Sequence, residues 1–279
     1  MAIRCCFGRL SHPVRSRCAR STDEEPPISP SRRSILTSRP DPAKHHMLGD
    51  VAREFLPVSK HHHTASTKVS IMMKLFGGFG SPFTRRVGIT LLLNRFEHEH
   101  IVLRGSDPHE LSELKKYNPL GRVPALETSD GRAVVDSAAI LDYLDQLAGP
   151  DEALTPSGGD ARTDVMNIIG IASGAVEKSI SCYYEEGVNA KRPPEMVYRP
   201  WVDRMYEQTK EGMEALDAMM KGPWMAGETL TQADISVVCF WDFIVKNRPD
   251  SAPAMNCAKL TALSKRANAM PEFAQTIPA

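Results

Sequence analysis

The pattern of apolar and polar positions from residue 73 onward predicts a strand followed by a helix. Met73-Lys-Leu-Phe-Gly77 is a short apolar run that ends in glycine, as buried strands often do. Ser81-Pro82 then stands at a helix start, because serine is favoured as an N-cap and proline at the first helical position. The apolar stripe through Val87 and Ile89 indicates that this helix reaches 91–93.

Residues 98–147 continue the alternation of strands and helices. We expect a strand at 98–103, a short helix at 109–117, an antiparallel strand pair at 122–127 and 132–135, and a helix at 137–147. The resulting order, β-α-β-α-β-β-α, predicts a mixed sheet with helices packed on it, in a first domain over residues 73–149.

The second half of the chain has helical periodicity throughout. Glycine and proline cluster at 150–160 and indicate a linker. Helices are expected at 161–185, 194–221, 231–245 and 258–268, which makes residues 161–279 an all-helical domain. Thr231 and Asp234 have the spacing of a capping box at the start of the third of these helices, and an apolar stripe follows them.

Residues 1–72 are rich in proline, serine and arginine, with no sustained apolar period, and we expect a disordered leader there. Five arginines precede Asp23, the first acidic residue, which is typical of a mitochondrial transit peptide. Alternatively, translation begins at Met72 or Met73 and the leader is an artefact of the gene prediction, or the leader is a functional tail. The histidines at 45–46 and 61–63 lack the surrounding partners of a metal site, so no metal is expected.

Composition narrows the possible partners. Hydrophobic residues make up 42% and charged residues 24%, as in ordinary globular proteins, and no apolar run reaches the roughly 18–20 residues that span a membrane. Lys and Arg number 12 against 6 acidic residues in 1–72, but 22 against 28 in the remainder. The remainder is mildly acidic, which argues against a nucleic acid partner. The six cysteines include no C-x-x-C pair, which favours a reducing compartment.

Three segments carry a family resemblance. Ser81-Pro-Phe-Thr-Arg-Arg-Val87, Asn118-Pro-Leu-Gly-Arg-Val-Pro-Ala-Leu126 and Asp136-Ser137 resemble, in order and spacing, the glutathione-site signature of glutathione transferases. They are most similar to serine-type classes such as the plant tau class and related bacterial enzymes. The resemblance covers the chain after residue 72. It implies a thioredoxin-like βαβαββα domain followed by an all-helical C-terminal domain.

The resemblance also implies where glutathione binds. Ser81 would donate a hydrogen bond to the glutathione thiolate, unless it only caps its helix. Val123-Pro124 would form a cis peptide bond that lets Val123 pair with the cysteinyl backbone, and the alternative is a trans proline at a strand start. Arg122 is the favoured candidate for binding the glycyl carboxylate, and Lys116 is the alternative.

The γ-glutamyl end of glutathione is assigned to Asp136-Ser137 on the same resemblance. Asp136 would pair with the ammonium group. Ser137 would cap the last helix of the first domain, whose N-terminus favours the carboxylate. In isolation, the same dipeptide is also typical of a plain helix cap.

The implied function is that of a glutathione transferase that joins the thiolate of reduced glutathione to small hydrophobic electrophiles in detoxification. Glutathione would be a co-substrate, with no cofactor. The electrophile would lie between the domains, near Phe79, Tyr183, Tyr184 and Trp201. We expect a homodimer in the cytoplasm, or in mitochondria if the leader is a transit peptide, without a nucleic acid or membrane partner. The alternatives are a glutathione-dependent peroxide or disulfide reductase and a non-catalytic glutathione-binding module.

Four further charged or titratable residues are expected to have no role at this site. Arg85 and Arg86 are typical of solvated or interface charges on a helix. His98 and His100 alternate with Glu97 and Glu99 and indicate a solvated strand edge.

Overall fold

The first part of the chain is built on a four-stranded mixed sheet. The computed structural model describes residues 72–186 and 193–278, so the leader before residue 72 and its histidines lie outside the described residues. The strands are β1 (Met73–Phe76), β2 (His98–Ile101), β3 (Ala125–Glu127) and β4 (Ala133–Val135), in the order β2-β1-β3-β4. β1 pairs with β2 in parallel, and the other two pairings are antiparallel.

Three helices cover the two faces of this sheet: α1 (Pro82–Leu93), α2 (Pro108–Leu114) and α3 (Ser137–Ala148). Side chains alternate between the faces of a strand. Leu75 accordingly packs with Val87 of α1 and Ile140 of α3, whereas Phe76 packs with Leu114 of α2. The expected β-α-β-α-β-β-α order is confirmed.

The second part is helical. It comprises α4 (Gly159–Glu186), α5 (Arg199–Met219), α6 (Gln232–Asn247), α7 (Ala258–Ala267) and α8 (Pro271–Ala274), with short 3₁₀ turns at Pro194–Met196 and Ala252–Ala254. α6 is its central element, because it contacts α1, α4 and α7. Within the described part of the chain, no helix is long and apolar enough to cross a bilayer.

The clearest differences from the sequence-based helices concern α5, α2 and α8. α5 begins at Arg199 rather than at 194, since Pro200 is tolerated only in the first turn of a helix. α2 spans Pro108–Leu114 because Asp107 caps it, accepting from the backbone N–H groups of His109 and Glu110. α8 has no sequence-based counterpart, since its four residues are too short for a period.

The capping box at the start of α6 is present. The Asp234 carboxylate is buried and accepts hydrogen bonds from the N–H of Thr231 at 2.8 Å, its hydroxyl at 2.9 Å, and the N–H of Met225 at 2.6 Å. Burial raises the pKa of Asp234, and these hydrogen bonds oppose the rise. Asp234 therefore joins the loop before α6 to the helix itself.

The expectation that Arg85 and Arg86 are solvated or interface charges is wrong. Each side chain is only 2% exposed, because α1 lies between the sheet and α6. Arg85 bonds to Asp242 at 2.6 Å, and Arg86 donates to the hydroxyl of Ser137 at 2.6 Å. Both partners come from distant parts of the chain.

Candidate functional site

Ser81 stands at the N-cap of α1 with an extended backbone conformation. Its Oγ accepts a hydrogen bond from the N–H of Thr84 at 3.4 Å, and its own N–H donates to the carbonyl of Gly78 at 3.0 Å. The capping bond uses a lone pair of the hydroxyl and leaves its proton to donate elsewhere. Capping and donation to a ligand are therefore compatible roles for Ser81.

The loop before β3 contains the cis peptide bond expected between Val123 and Pro124. Asn118 organises this loop, because its side chain donates to the carbonyl of Arg122 at 2.7 Å and accepts from the N–H of Leu120 at 3.0 Å. Pro124 is buried, whereas Arg122 is exposed. Asn118 belongs to the quoted motif, but its role as the anchor of the loop was not foreseen.

Strand register brings this loop close to the other two motif segments. Ala125 pairs with Phe76 of β1 and with Val135 of β4. The end of β1, the cis-proline loop and the end of β4 therefore lie close together. We call this side of the sheet, where β1 and β4 end and β3 begins, the sheet edge. Gly77 is part of this junction, since an added Cβ there would lie 2.7 Å from the Cβ of Val123.

The structure corrects one detail at the start of α3. Asp136, not Ser137, is the N-cap: its Oδ1 accepts from the N–H of Ala138 at 2.8 Å, and Ser137 is the first helical residue. Asp136 has φ 71°, a conformation that is costly for a residue with a side chain. The Ser137 hydroxyl accepts from Arg86 Nη2 at 2.6 Å and Nε at 3.1 Å. Burial lowers the pKa of Arg86 to about 10, while Asp136 favours its charged form.

The glycine-rich loop between β1 and α1 is held by His100, contrary to the expectation of a solvated edge at this residue. The His100 ring stacks on Phe79 with the ring centroids 4.1 Å apart, and its Nε2 lies 2.7 Å from the carbonyl oxygen of Gly77. Gly88 allows the ring of Phe79 to approach α1, since an added Cβ would lie 2.5 Å from it. His100 thus sets the position of Phe79.

A cavity of about 1480 Å³ adjoins this edge and extends toward the helical part. Of the predicted site residues, it is lined by Phe79, Ser81, Arg122, Val123, Tyr183 and Tyr184. Pro124, Asp136 and Ser137 do not line it, and neither does Trp201. Aromatic residues that sequence reasoning missed, Phe83, Trp241 and Phe243, complete its apolar wall.

Thiol and metal chemistry have little support among the residues that the structure describes. Cys182, Cys239 and Cys257 are buried, unpaired thiols, and burial raises their pKa to about 11, 12 and 12. Such thiols are poor nucleophiles near neutral pH. No group of three metal-binding side chains occurs in 72–186 or 193–278.

A thioredoxin-like sheet joined to a helical bundle, with a serine-capped helix beside a cis-proline loop, defines the glutathione-transferase fold. Residues 80–147 match the sequence model of the family described as "Glutathione S-transferase, N-terminal domain". "Glutathione S-transferase Z2" of Arabidopsis thaliana is 29% identical over 171 residues, which cover 58% of this chain and 72% of that protein.

Two further relatives are matched over nearly their full length. The "Uncharacterized GST-like protein YibF" of Escherichia coli (strain K12) is 25% identical over 207 residues, which cover 74% of this chain and 98% of that protein. A solved structure of a glutathione transferase family member from Pseudomonas fluorescens Pf-5, with bound glutathione, is 28% identical with a TM-score of 0.65, over 74% of this chain and 99% of that one. These comparisons support a place for the chain in the glutathione transferase family, with the sequence-model match itself confined to residues 80–147. The resemblance to the tau class stays a prediction.

Proposed function

We propose that this protein binds reduced glutathione at the junction of the three motif segments and transfers its thiolate to small hydrophobic electrophiles. The observation that carries the proposal is the Ser81 hydroxyl, which caps α1, retains its proton and lines the large cavity beside Val123. The glutathione bound in the Pseudomonas fluorescens relative supports the choice of ligand.

Ser81 would act by stabilising the thiolate. A thiol with a pKa of about 8.5 is only a few per cent ionised near pH 7. Lowering this pKa by about two units requires about 2.7 kcal/mol of preferential stabilisation of the thiolate. A hydroxyl that donates to a charged sulfur contributes about 1.5–3 kcal/mol, and the N-terminus of α1 adds about 0.3–1 kcal/mol. These two contributions suffice without a general base.

The peptide part of glutathione would bind across the sheet edge. Val123 supports this role, because its N–H and C=O take part in no hydrogen bond within the described residues. They can pair with the cysteinyl backbone as one more strand would. Arg122 is exposed at the cavity for the glycyl carboxylate, and Asp136 is exposed for the ammonium of the γ-glutamyl group.

The electrophile would occupy the part of the cavity lined by Phe79, Tyr183 and Tyr184. Tyr183 contacts the rings of Tyr184 and Phe243 edge to face, with centroid distances of 5.7 and 6.2 Å. An aromatic wall of this kind binds planar apolar compounds through dispersion and ring contacts.

Reduction through a protein thiol has little support, because the three described cysteines are buried with raised pKa values. A disulfide-exchange mechanism needs an accessible thiolate. In a non-catalytic binding module the Ser81 hydroxyl would serve only as the cap of α1. By resemblance, we further propose a homodimer, a cytoplasmic location and a role in detoxification.

The test is glutathione conjugation to a chloro-nitroaromatic electrophile by the full chain and by Ser81→Ala. We expect activity to fall about tenfold or more, which corresponds to about 1.4 kcal/mol, while glutathione still binds. Ser81→Thr keeps the hydroxyl and should keep most of the activity. Asp107→Ala is the matched control, because it removes the cap of α2, which does not line the cavity.

Unchanged activity in Ser81→Ala would remove Ser81 from this role. Absent activity in the wild type would shift the assignment to the reductase or the binding module, and retention of the protein on immobilised glutathione would distinguish binding from its absence.

A further inference from the structure

The cavity beside Ser81 is larger than a small electrophile requires. Its volume is about 1480 Å³, whereas pockets that bury a drug-sized ligand measure about 300–1,000 Å³. Glutathione would take only one end of it, because Pro124 and Asp136 do not line the cavity. Most of the volume is therefore left for the second substrate, and the walls around that volume determine which compounds fit.

One side of the cavity is polar rather than aromatic. Asp242 of α6 and Ser264 and Asn268 of α7 line it there, and all three are partly exposed. We call these three residues the α6–α7 patch. The Asp242 side chain, 22% exposed, is at its centre. Its Oδ2 lies 2.6 Å from Arg85 Nη1 and 2.9 Å from Asn268 Nδ2, and its Oδ1 accepts from the Ser264 hydroxyl.

The hydrogen bonds within the α6–α7 patch leave it able to accept but not to donate. The Ser264 hydroxyl uses its hydrogen on Asp242. The Asn268 amide uses its two hydrogens on Asp242 and on Ser264 Oγ. A carboxylate has about four acceptor sites, and the three bonds to Asp242 leave one of them open. A ligand group that binds here must therefore supply the hydrogen.

The charges around the patch favour an uncharged donor. The Arg85 guanidinium behind it is only 2% exposed, bonds to Asp242 and Asn268, and neutralises the Asp242 carboxylate. Lys246, one turn further along α6, is exposed and donates to the carbonyl of Pro278 at 3.2 Å. A hydroxyl or an amide N–H suits this patch, whereas a carboxylate on the ligand would bring only further acceptors to it.

The patch is within reach of a substrate that reacts beside Ser81. Arg85 follows Ser81 by about one helical turn, or about 6 Å along α1, and its side chain contacts Asp242 directly. Phe83 on α1 and Phe243 on α6 line the same cavity. An aromatic compound held against these rings can therefore extend a substituent to Asp242.

We propose that the second substrate is an aromatic electrophile that carries a hydrogen-bond donor, such as a hydroxyl, on a substituent away from the reacting carbon, and that the Asp242 carboxylate accepts this hydrogen bond. Asp242 thus determines specificity and takes no part in the bond-forming step. This inference rests on the proposed transferase function. A site built to bind a hydroxyl discriminates against an analogue without one, because its acceptor is then left unpaired.

The test uses matched electrophiles on the full chain. These are 4-chloro-3-nitrobenzamides with an alkyl chain of two, four or six methylene groups on the amide nitrogen, ending either in a hydroxyl or in fluorine. Fluorine is close in size to the hydroxyl but has no hydrogen to donate. In both series the glutathione sulfur forms a bond to the ring carbon, and chloride leaves with the bonding electrons.

We expect kcat/KM for the hydroxyl compound to exceed that for the fluoro compound about tenfold at the best chain length, which corresponds to about 1.4 kcal/mol. In Asp242→Asn the ratio should fall to about twofold or less, because the amide brings hydrogens of its own. Ser264→Ala frees Oδ1 of Asp242 and should keep or raise the ratio.

Asp164→Asn is the matched control. It makes the same change in an exposed ion pair with Lys221, outside the cavity, and should leave the ratio as in the wild type.

A ratio near one in the wild type would overturn the inference, and this result does not depend on whether Asp242→Asn folds. An unchanged ratio in Asp242→Asn, or a ratio lost in Ser264→Ala, would also overturn it. Turnover of a plain chloro-nitroaromatic without turnover of either series would mean that the cavity does not take extended substrates, and would again refute the inference alone. Failure with all of these compounds would contradict the proposed transferase function itself.

Discussion

The Ser81 hydroxyl can act as an acceptor and as a donor at the same time. Its oxygen accepts from the N–H of Thr84 and thereby caps α1, and its proton is left for the ligand sulfur. Removing the hydroxyl therefore affects stability as well as chemistry. Loss of a cap typically costs about 1 kcal/mol, so Ser81→Ala must be assayed per folded molecule.

Asp136 has a positive φ, caps α3 and is exposed. A substitution can remove its negative charge and still keep the capping hydrogen bond. Asp136→Asn keeps an oxygen for the N–H of Ala138 and suits a positive φ, but removes the charge. We expect near-wild-type stability and weaker glutathione binding.

Asp136→Ala is the matched comparison. It should bind glutathione as weakly as Asp136→Asn and also lose about 1 kcal/mol of stability through the missing cap. Urea unfolding and calorimetry measure the two effects. Full glutathione affinity in Asp136→Asn would refute the assignment of the ammonium to this carboxylate.

At the scale of elements, His100 of β2 controls the loop that leads to α1. His100→Ala removes both the ring stacked on Phe79 and the contact with the Gly77 carbonyl. Because an aromatic pair contributes about 0.5–1.5 kcal/mol, we expect KM for the electrophile to rise about 2- to 10-fold. The affinity for glutathione should change much less.

His98→Ala is the control for this loop, since His98 lies on the same strand and contacts the carbonyl of Phe96 instead. Initial-rate kinetics with varied electrophile separate the two variants. An unchanged KM in His100→Ala would mean that Phe79 keeps its place without the stack.

The capping box of α6 is expected to matter for folding and not for chemistry. Asp234→Ala leaves the N–H of Met225 and both donors of Thr231 without their acceptor in a buried site, and each such group costs about 1–3 kcal/mol. The yield of folded protein should fall sharply, with turnover per folded molecule unchanged. Normal yield with lost turnover would contradict this assignment.

Features that a short segment determines by itself were predictable from the sequence. The N-caps at Ser81 and Thr231 depend on residues three positions away, so local spacing indicated both helices. Ser137 was expected to be the cap of α3 and is not. The preceding residue, Asp136, adopts a positive φ and caps the helix with its carboxylate. Backbone strain of that kind leaves no mark in a hydrophobic pattern.

At the scale of the whole molecule, the Arg85 side chain connects α1 to the last third of the chain. It donates to Asp242, to Asn268 at 2.7 Å and to Thr276 at 3.2 Å. Asp242→Ala leaves this buried guanidinium unpaired and should lower the free energy of unfolding by about 3–5 kcal/mol.

Asp164→Ala is the matched control in the same denaturant titration. It breaks the ion pair between Asp164 and Lys221, whose side chains are 53% and 60% exposed, and should cost less than about 1 kcal/mol. Equal losses in the two variants would contradict the distinction between the buried and the exposed pair.

The buried arginines were not predictable from sequence because their partners are remote. Ser137 lies 51 positions from Arg86, and Asp242 and Thr276 lie 157 and 191 positions from Arg85. Two consecutive charges on a helix are normally solvated, and only the packing of α1 between the sheet and α6 reverses that expectation. The role of His100 was missed for the same reason, since Phe79 reaches it across neighbouring strands.

The role of Ser81 is tested most directly by the pKa of the glutathione thiol when it is bound to the protein. Ultraviolet difference titration of the thiolate on the full chain measures it for the wild type, Ser81→Thr and Ser81→Ala. We expect a pKa about two units below the usual value of about 8.5 in the wild type, a similar value in Ser81→Thr, and a rise of about one unit or more in Ser81→Ala. An equally low pKa in Ser81→Ala would contradict the claim that this hydroxyl stabilises the thiolate.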